Sequence, residues 1–162
     1  MTTPLVPILM GSSSDMVHGQ KIGSALAELG IDYELRVGSA HKAPAHVLKL
    51  LAEYEADPRP KVLITIAGRS NALSGLVDAQ VTMPVIACPP LSSTFAGADI
   101  YSSLRMPGGV APAVVLEPAG AALLAAKILG VSHPDIRERV AALQAANREK
   151  IVADDGEVAG GK

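Results

Sequence analysis

The sequence predicts an α/β fold in which a parallel β-sheet lies between two layers of helices. Two observations predict it. Segments with the apolar pattern of strands alternate with segments that have the pattern of helices, at the spacing of strand–helix–strand units. The runs at 5–10 and 61–67 are almost continuously apolar, which is typical of strands buried on both faces of a parallel sheet. Crossovers between such strands are right-handed.

The first half of the chain contains two strand–helix pairs. Residues 5–10 predict a buried strand, and a helix over 16–29 follows and stops at Gly30. Residues 31–37 alternate apolar and polar side chains, which indicates a second strand, and a helical pattern then covers 45–55. Each strand is therefore followed by a helix that returns the chain to the other end of the sheet.

The second half continues this alternation with three further strands. It predicts, in order, a strand over 61–67, a helix that ends near 81, a strand over 84–88, a short helix over 99–105, a strand over 114–116, a helix over 119–129 and a last helix that opens at 132–135 and ends near 152. We expect a single domain over 1–152, a three-layer, flavodoxin-like α/β/α sandwich with a C-terminal helix. Residues 153–162 are small, polar and glycine-rich, so we expect a disordered tail.

Charge, cysteine content and apolar patterning argue against several classes of protein. A net charge of −2 with no basic run argues against a nucleic-acid-binding protein. One cysteine, Cys88, excludes an internal disulfide and fits a reducing compartment, and 1–10 resembles a strand rather than a signal peptide. The apolar region 110–131 is interrupted by prolines, glycine and charged residues, so we expect no membrane span. We therefore expect a cytoplasmic protein.

Polar loops follow the first three strands, at 11–15, 38–44 and 68–75. The carboxyl ends of parallel strands meet at one edge of the sheet, where open α/β sheets bind ligands. The loops offer serine hydroxyls, helix-start amides, two cationic side chains, the carboxylate of Asp15 and the imidazole of His41. This set predicts a site for a small phosphorylated ligand that carries sugar hydroxyls, with proton transfer by His41.

Purely structural interpretations remain open for these polar residues. Asp15 could be an ordinary N-cap of the helix that follows it, and His41 could cap the next helix while Lys42 is solvated. Cys88 is better explained as a small packed residue than as a nucleophile. We expect no metal site, because no cysteine or carboxylate completes a ligand set around His41 and its neighbour His46.

Five motifs are distributed over 5–144. They are Met10-Gly11-Ser12-Ser13-Ser14-Asp15, Ser39-Ala40-His41-Lys42-Ala43-Pro44, Ala67-Gly68-Arg69-Ser70-Asn71, Cys88-Pro89-Pro90 and Ser102-Ser103-Leu104-Arg105-Met106-Pro107. In order and spacing these motifs resemble the PurE family of purine biosynthesis.

The third loop distinguishes the two classes of that family. Class I proteins move a carboxyl group within N5-carboxyaminoimidazole ribonucleotide and usually have a histidine there. Class II proteins carboxylate 5-aminoimidazole ribonucleotide (AIR) directly with carbon dioxide, giving 4-carboxy-5-aminoimidazole ribonucleotide (CAIR). Here the loop reads AGRSN, and Ala72 stands where the class I histidine would be, so the chain resembles the class II, animal-type carboxylase.

The resemblance implies a role for each loop. His41 would be the acid/base. The first loop would hold the ribose and neighbouring phosphate region, the second the phosphate or the reacting end, and the third the base and the carboxyl group. The implied substrate contacts are Gly11, Ser12, Ser14, Asp15, Ser39, Ala40, Lys42, Gly68, Arg69, Ser70 and Asn71. Ser103 and Arg105 are ambiguous, because either residue could contact the substrate or a neighbouring subunit.

The implied reaction needs no metal, biotin, ATP or other cofactor, because C4 of the aminoimidazole can itself attack carbon dioxide and His41 can then remove the C4 proton. The family forms homo-oligomers, commonly octamers, and a hydrophobic content of 49% fits burial between subunits; octamer and tetramer both remain open. Two alternatives are the class I mutase and a non-catalytic nucleotide or flavin carrier. The absent loop histidine argues against the first, and the scarcity of aromatic rings argues against a flavin.

Overall fold

Five parallel strands form one sheet within residues 2–161, the part of the chain that this computed structural model describes. They are β1 (Leu5–Met10), β2 (Asp32–Val37), β3 (Leu63–Ile66), β4 (Val85–Ala87) and β5 (Ala113–Val114). The strand order is β2-β1-β3-β4-β5, and every neighbouring pair is parallel. This is the strand order of flavodoxin-like proteins, so the predicted fold class is confirmed.

Six α-helices accompany the sheet within the same residues. They are α1 (Met16–Glu28), α2 (Pro44–Ala56), α3 (Leu73–Asp78), α4 (Tyr101–Leu104), α5 (Pro118–Leu129) and α6 (Pro134–Gly160). Short 3₁₀ turns lie before α1 and between β4 and α4. No helix in the described part of the chain combines the length and apolar character needed to cross a bilayer.

Strand β1 lies inside the sheet, and all of its residues are buried. Its side chains face two separate apolar clusters. Ile8 and Met10 pack with residues of α1 and α5, whereas Leu5 and Leu9 pack with residues of α2 and α3. A strand covered on both faces has no polar side, which explains the continuous apolar run in the sequence.

Small residues allow α1 and α5 to pack closely on one face of the sheet. The fully buried alanines of α5 are Ala121, Ala122, Ala125 and Ala126. In α1, a Cβ atom added at Gly23 would lie 2.3 Å from the ring of Tyr33, so the glycine makes room for a β2 side chain. This packing fixes α1, and with it the loop that precedes α1 at the carboxyl edge of the sheet.

Most element bounds lie within about three residues of the sequence prediction, and two differences have a clear physical reason. Helix α3 begins at Leu73, inside the predicted loop 68–75, because the side chain of Asn71 accepts a hydrogen bond from the N–H of Ser74 (3.1 Å) and so supports the first turn. The predicted end of the last helix near 152 is wrong, since α6 continues to Gly160 through most of the expected tail. Lys162, the last residue of that tail, lies outside the described residues.

Candidate active site

The carboxyl edge of the sheet brings the three polar loops together around β1. The N–H of Gly11 donates to the carbonyl of Ile66, and the N–H of Gly38 donates to the carbonyl of Met10, both at 2.8 Å. These bonds fix where each loop begins. The strand order reverses between β1 and β3, and such a switch point is where α/β sheets of this kind open a ligand crevice.

The first loop is held by its own serines. The side chain of Ser12 accepts hydrogen bonds from the N–H of Ser14 (3.2 Å) and from the hydroxyl of Ser14 (2.9 Å). Asp15 occupies the N-cap position of α1, but its side chain forms no capping hydrogen bond. Burial raises the pKa of Asp15 above its usual value, and the backbone of Ser12 and the side chain of His18 partly offset that effect. The carboxylate is therefore not used to cap α1.

The second loop presents His41 and Lys42 on an exposed turn. The hydroxyl of Ser39 accepts the N–H of Lys42 (3.2 Å), and the carbonyl of Ser39 accepts the N–H of Ala43 (2.9 Å). The N-cap position of α2 is Ala43, and no side chain caps this helix. His41 therefore does not cap α2, and the turn fixed by Ser39 leaves its imidazole exposed.

The third loop turns sharply at Arg69, whose φ of 58° is unusual for a residue with a side chain. The N–H of Arg69 donates to the carboxylate of Asp99 (3.0 Å), and the N–H of Asn71 donates to the hydroxyl of Ser102 (2.9 Å). Contacts from a distant part of the chain therefore shape this loop.

The three loops surround a cavity of about 590 Å³. Its lining contains residues of all three loops and of the segment after β4: Gly11, Ser12, Ser14, Asp15, Ser39, Ala40, His41, Lys42, Ala67, Gly68, Arg69, Ser70, Ala72, Leu73, Pro90, Leu91 and Ser92. The cavity brings together His41, all but one of the residues expected to contact substrate, two cationic side chains and one carboxylate. Pro90, Leu91 and Ser92 were not expected in the site, although they follow β4 at the same sheet edge as the three loops.

Asn71 is the exception among the expected substrate contacts. Its residue is 5% exposed, and its amide nitrogen donates to the hydroxyls of Ser74 (2.7 Å) and Ser103 (2.9 Å). These hydrogen bonds engage its side chain within the protein, and Asn71 is absent from the residues that line the cavity. Ser103 is likewise buried, whereas Arg105 is exposed outside the cavity lining.

The other histidines lie away from the cavity lining. Nε2 of His18 lies 3.4 Å from Sγ of Cys88, Nε2–H of His46 donates to the carbonyl of Val37 (3.1 Å), and Nδ1–H of His133 donates to the carbonyl of Leu129 (3.1 Å). Each ring therefore has a contact that explains its presence. Residues 2–161 contain no group of three or more His, Cys, Asp or Glu side chains that could hold a metal ion.

Fold and cavity together define a flavodoxin-like α/β protein with a polar ligand site at its switch point. The family model described as AIR carboxylase matches residues 5–150. A Treponema denticola protein named phosphoribosylaminoimidazole carboxylase is 59% identical over 155 residues, which cover 96% of this chain and 98% of that protein. An Archaeoglobus fulgidus protein of the same name is 51% identical over 151 residues, covering 93% of this chain and 83% of its own length.

A solved structure agrees with these relatives. The crystal structure of Treponema denticola PurE superimposes with a TM-score of 0.94 at 59% identity, covering 95% of this chain and 98% of that one. The chain belongs to the AIR carboxylase family, also called the PurE family, and is an enzyme of purine biosynthesis.

Proposed function

We propose that this enzyme carboxylates AIR directly with carbon dioxide, giving CAIR, in the cytoplasm and without ATP, metal or cofactor. The observation that carries the proposal is the loop after β3. Residues 67–71 read AGRSN, and Ala72 lines the cavity at the position of the class I histidine. The name phosphoribosylaminoimidazole carboxylase, borne by both relatives, describes the same direct reaction and so supports the proposal.

The groups around the cavity suit the parts of AIR. The carboxylate of Asp15 and the hydroxyl of Ser12 would bind the ribose and the neighbouring phosphate region. Ser39 and Lys42 would contact the phosphate or the reacting end. Gly68, Ser70 and the guanidinium of Arg69 would close over the base and the new carboxylate. A ligand with a phosphate, hydroxyl groups and a flat base would therefore find a partner for each part.

His41 would complete the reaction as a base. The amino group of AIR makes C4 nucleophilic, so C4 forms a bond to carbon dioxide while one C=O π bond opens to a carboxylate oxygen. The intermediate still carries a proton on C4. His41 removes that proton, and the electrons of the C–H bond restore the aromatic ring. Holding the two small reactants together contributes to the rate, since proximity is worth roughly 7–11 kcal/mol in favourable cases.

An assay with two alternative substrates tests the proposed reaction. AIR with bicarbonate is placed in one reaction and N5-carboxyaminoimidazole ribonucleotide in another, both without ATP, and CAIR is followed by absorbance. We expect CAIR from AIR at an initial rate that rises with bicarbonate. CAIR from the N5-carboxylated compound alone would identify the enzyme as a mutase that works without the loop histidine. A protein that binds AIR but converts neither compound would be a carrier.

We also propose that the enzyme is a homo-oligomer, either an octamer or a tetramer. Apolar side chains between β4 and the end of α4 are exposed: Leu91 (72%), Phe95 (47%), Tyr101 (60%) and Leu104 (55%). Leu91 also lines the cavity. Contact between subunits would remove these side chains from water and would shield one side of the site.

A further inference from the structure

A buried polar network connects the sheet to α4 beneath the loop that carries Arg69. The hydroxyls of Thr65 on β3 and Ser74 on α3 lie 2.8 Å apart, and the hydroxyl of Ser74 accepts a hydrogen bond from the amide of Asn71 (2.7 Å). The second N–H of that amide donates to the hydroxyl of Ser103 on α4 (2.9 Å). All four residues are buried, with exposed fractions between 0% and 5%.

Both N–H donors of the Asn71 amide are used within the protein. Its two N–H groups donate to Ser74 and Ser103, and its oxygen accepts the backbone N–H of Ser74 (3.1 Å). A buried amide loses free energy when one of its donors has no partner, so each of these bonds constrains the side chain. Asn71 therefore links α3 and α4 at a fixed distance.

A second set of contacts holds the backbone on either side of Arg69. The hydroxyl of Ser102 accepts the N–H of Asn71 (2.9 Å) and donates to the carbonyl of Asp99 (2.7 Å), while the carboxylate of Asp99 accepts the N–H of Arg69 (3.0 Å). Arg69 has a left-handed backbone conformation (φ 58°), which persists only where surrounding contacts enforce it. Within residues 2–161 the guanidinium of Arg69 takes part in no ion pair. The position of this side chain therefore depends on the conformation of the backbone at Arg69.

We infer that Asn71 and Ser103 are positioning residues that hold Arg69 at the cavity, and that neither residue contacts substrate. The inference rests on the proposed function, because it assigns Arg69 a role in binding AIR. Loss of the Ser103 hydroxyl leaves one buried N–H of Asn71 without its partner and loosens the turn at Arg69. Substrate affinity then falls although no group that touches the substrate has changed.

Two measurements on four proteins test this inference. The proteins are the wild type, Ser103→Ala, Arg69→Ala and the double variant, and the first measurement is the KM for AIR at saturating bicarbonate. We expect Ser103→Ala to raise the KM about fivefold with little change in kcat, and to have no further effect once Arg69 is replaced. An equal effect of Ser103→Ala in both backgrounds, or no effect in the wild type, would overturn the inference.

The second measurement does not depend on activity. Trypsin cleaves after arginine, and the Arg69 carbonyl lies 3.3 Å from the hydroxyl of Ser102. We expect native-state cleavage after Arg69 to be about five times faster in Ser103→Ala, with cleavage after Arg148 on exposed α6 unchanged. Faster cleavage at both sites, or at neither, would contradict a local effect.

Tyr54→Phe provides a matched control for a general loss of stability. Tyr54 donates a hydrogen bond to the carboxylate of Glu34, outside the cavity lining, so this variant loses a hydroxyl contact without touching the loop. We expect its KM and its cleavage after Arg69 to match the wild type. A wild-type enzyme that fails to carboxylate AIR would refute the proposed function, whereas the cleavage comparison would still decide whether Ser103 holds the loop.

Discussion

His41 and Cys88 differ in their access to solvent. His41 lies exposed on a turn, whereas Cys88 is buried directly after β4. Cys88 is fully inaccessible, its thiol donates to the carbonyl of Leu116, and Nε2 of His18 lies 3.4 Å from its sulfur. Burial, together with the negative charge of Glu117, raises the pKa of the Cys88 thiol to about 12. The interpretation of Cys88 as a packed residue is confirmed.

Alkylation measures the reactivity of Cys88 directly. Only a thiolate reacts readily with iodoacetamide, so we expect almost no labelling of the native protein at pH 8 and complete labelling after unfolding in urea. Mass spectrometry of the intact chain gives the labelled fraction. Fast labelling under native conditions would mean that the thiol is far more accessible than its buried position after β4 indicates.

His18 makes the stability of the protein depend on pH. Burial lowers the pKa of His18. The hydrogen bond with Cys88 and the negative charges of Asp15 and Glu117 only partly offset this effect, while the positive charge of Lys21 adds to it. The unfolded chain therefore binds a proton near pH 6.5 that the folded chain does not bind until the pH is lower, so stability falls as the pH drops through that range. We expect the wild type to lose more stability between pH 7.5 and 5.5 than His18→Gln.

Urea unfolding of both proteins at the two pH values gives the comparison. The remaining histidines are common to both proteins and cancel in the difference. An equal loss of stability in the two proteins would show that His18 titrates as freely in the folded state as in the unfolded chain.

The direction of the Asn71 side chain could not be predicted from the sequence. The AGRSN motif correctly identified a loop at the cavity, but the direction of each side chain depends on the backbone at Arg69. That backbone is bonded to Asp99 and Ser102, which lie far along the chain. No local pattern records such a contact, so Asn71 was expected in the site although the structure places it beneath the loop.

Two glycines in helices provide a test of packing at the level of elements. A Cβ atom at Gly23 of α1 would lie 2.3 Å from the ring of Tyr33, whereas one at Gly156 of α6 would meet no atom within 4 Å. We expect Gly23→Ala to destabilise the protein by about 1–3 kcal/mol through overpacking, despite the better helix propensity of alanine. Gly156→Ala should be neutral or stabilising by up to about 1 kcal/mol.

Chemical denaturation gives the free energy of unfolding of the two glycine variants and so separates the effect of helix propensity from the effect of packing. Both substitutions are the same change of residue in an α-helix, so only the surroundings differ. Equal stability of the two variants would mean that α1 and β2 do not pack as closely as described.

Strands and helices were predictable wherever burial produces a regular pattern of apolar residues in the sequence. β1 and β3 are apolar because both faces are covered, and α1 ends where Gly30 adopts φ 64°. The end of α6 was missed because its described residues beyond 140 are mostly exposed, so no apolar period marks where the helix stops. Residues such as Asp154 and Gly156 suggested a tail, yet each fits an exposed helix.

The position of the cavity follows from the topology of the whole molecule. Parallel strands with right-handed crossovers place the loops after β1, β2 and β3 at one edge, so the sequence alone was sufficient to bring Asp15, His41 and Arg69 together. It did not add Pro90, Leu91 and Ser92, although they follow β4 at the same edge.

The exposed apolar side chains after β4 predict that the protein is an oligomer in solution. Leu91, Phe95, Tyr101 and Leu104 are between 47% and 72% exposed, which is unfavourable unless a subunit covers them. We expect light scattering on a sizing column to give a mass four or eight times the chain mass of 16.6 kDa. A single species with the mass of one chain would contradict the proposed oligomer and would show that no second copy covers these side chains.

The proposed chemistry depends on one side chain, the imidazole of His41. We would measure the dissociation constant of CAIR and the turnover of AIR for the wild type and His41→Asn. We expect similar CAIR affinity in both proteins and a loss of about 10²–10⁴-fold in kcat for the variant, as is typical when a general base is removed. Near-normal turnover by His41→Asn would contradict the role of His41 as the base and would require a different proton acceptor in the cavity.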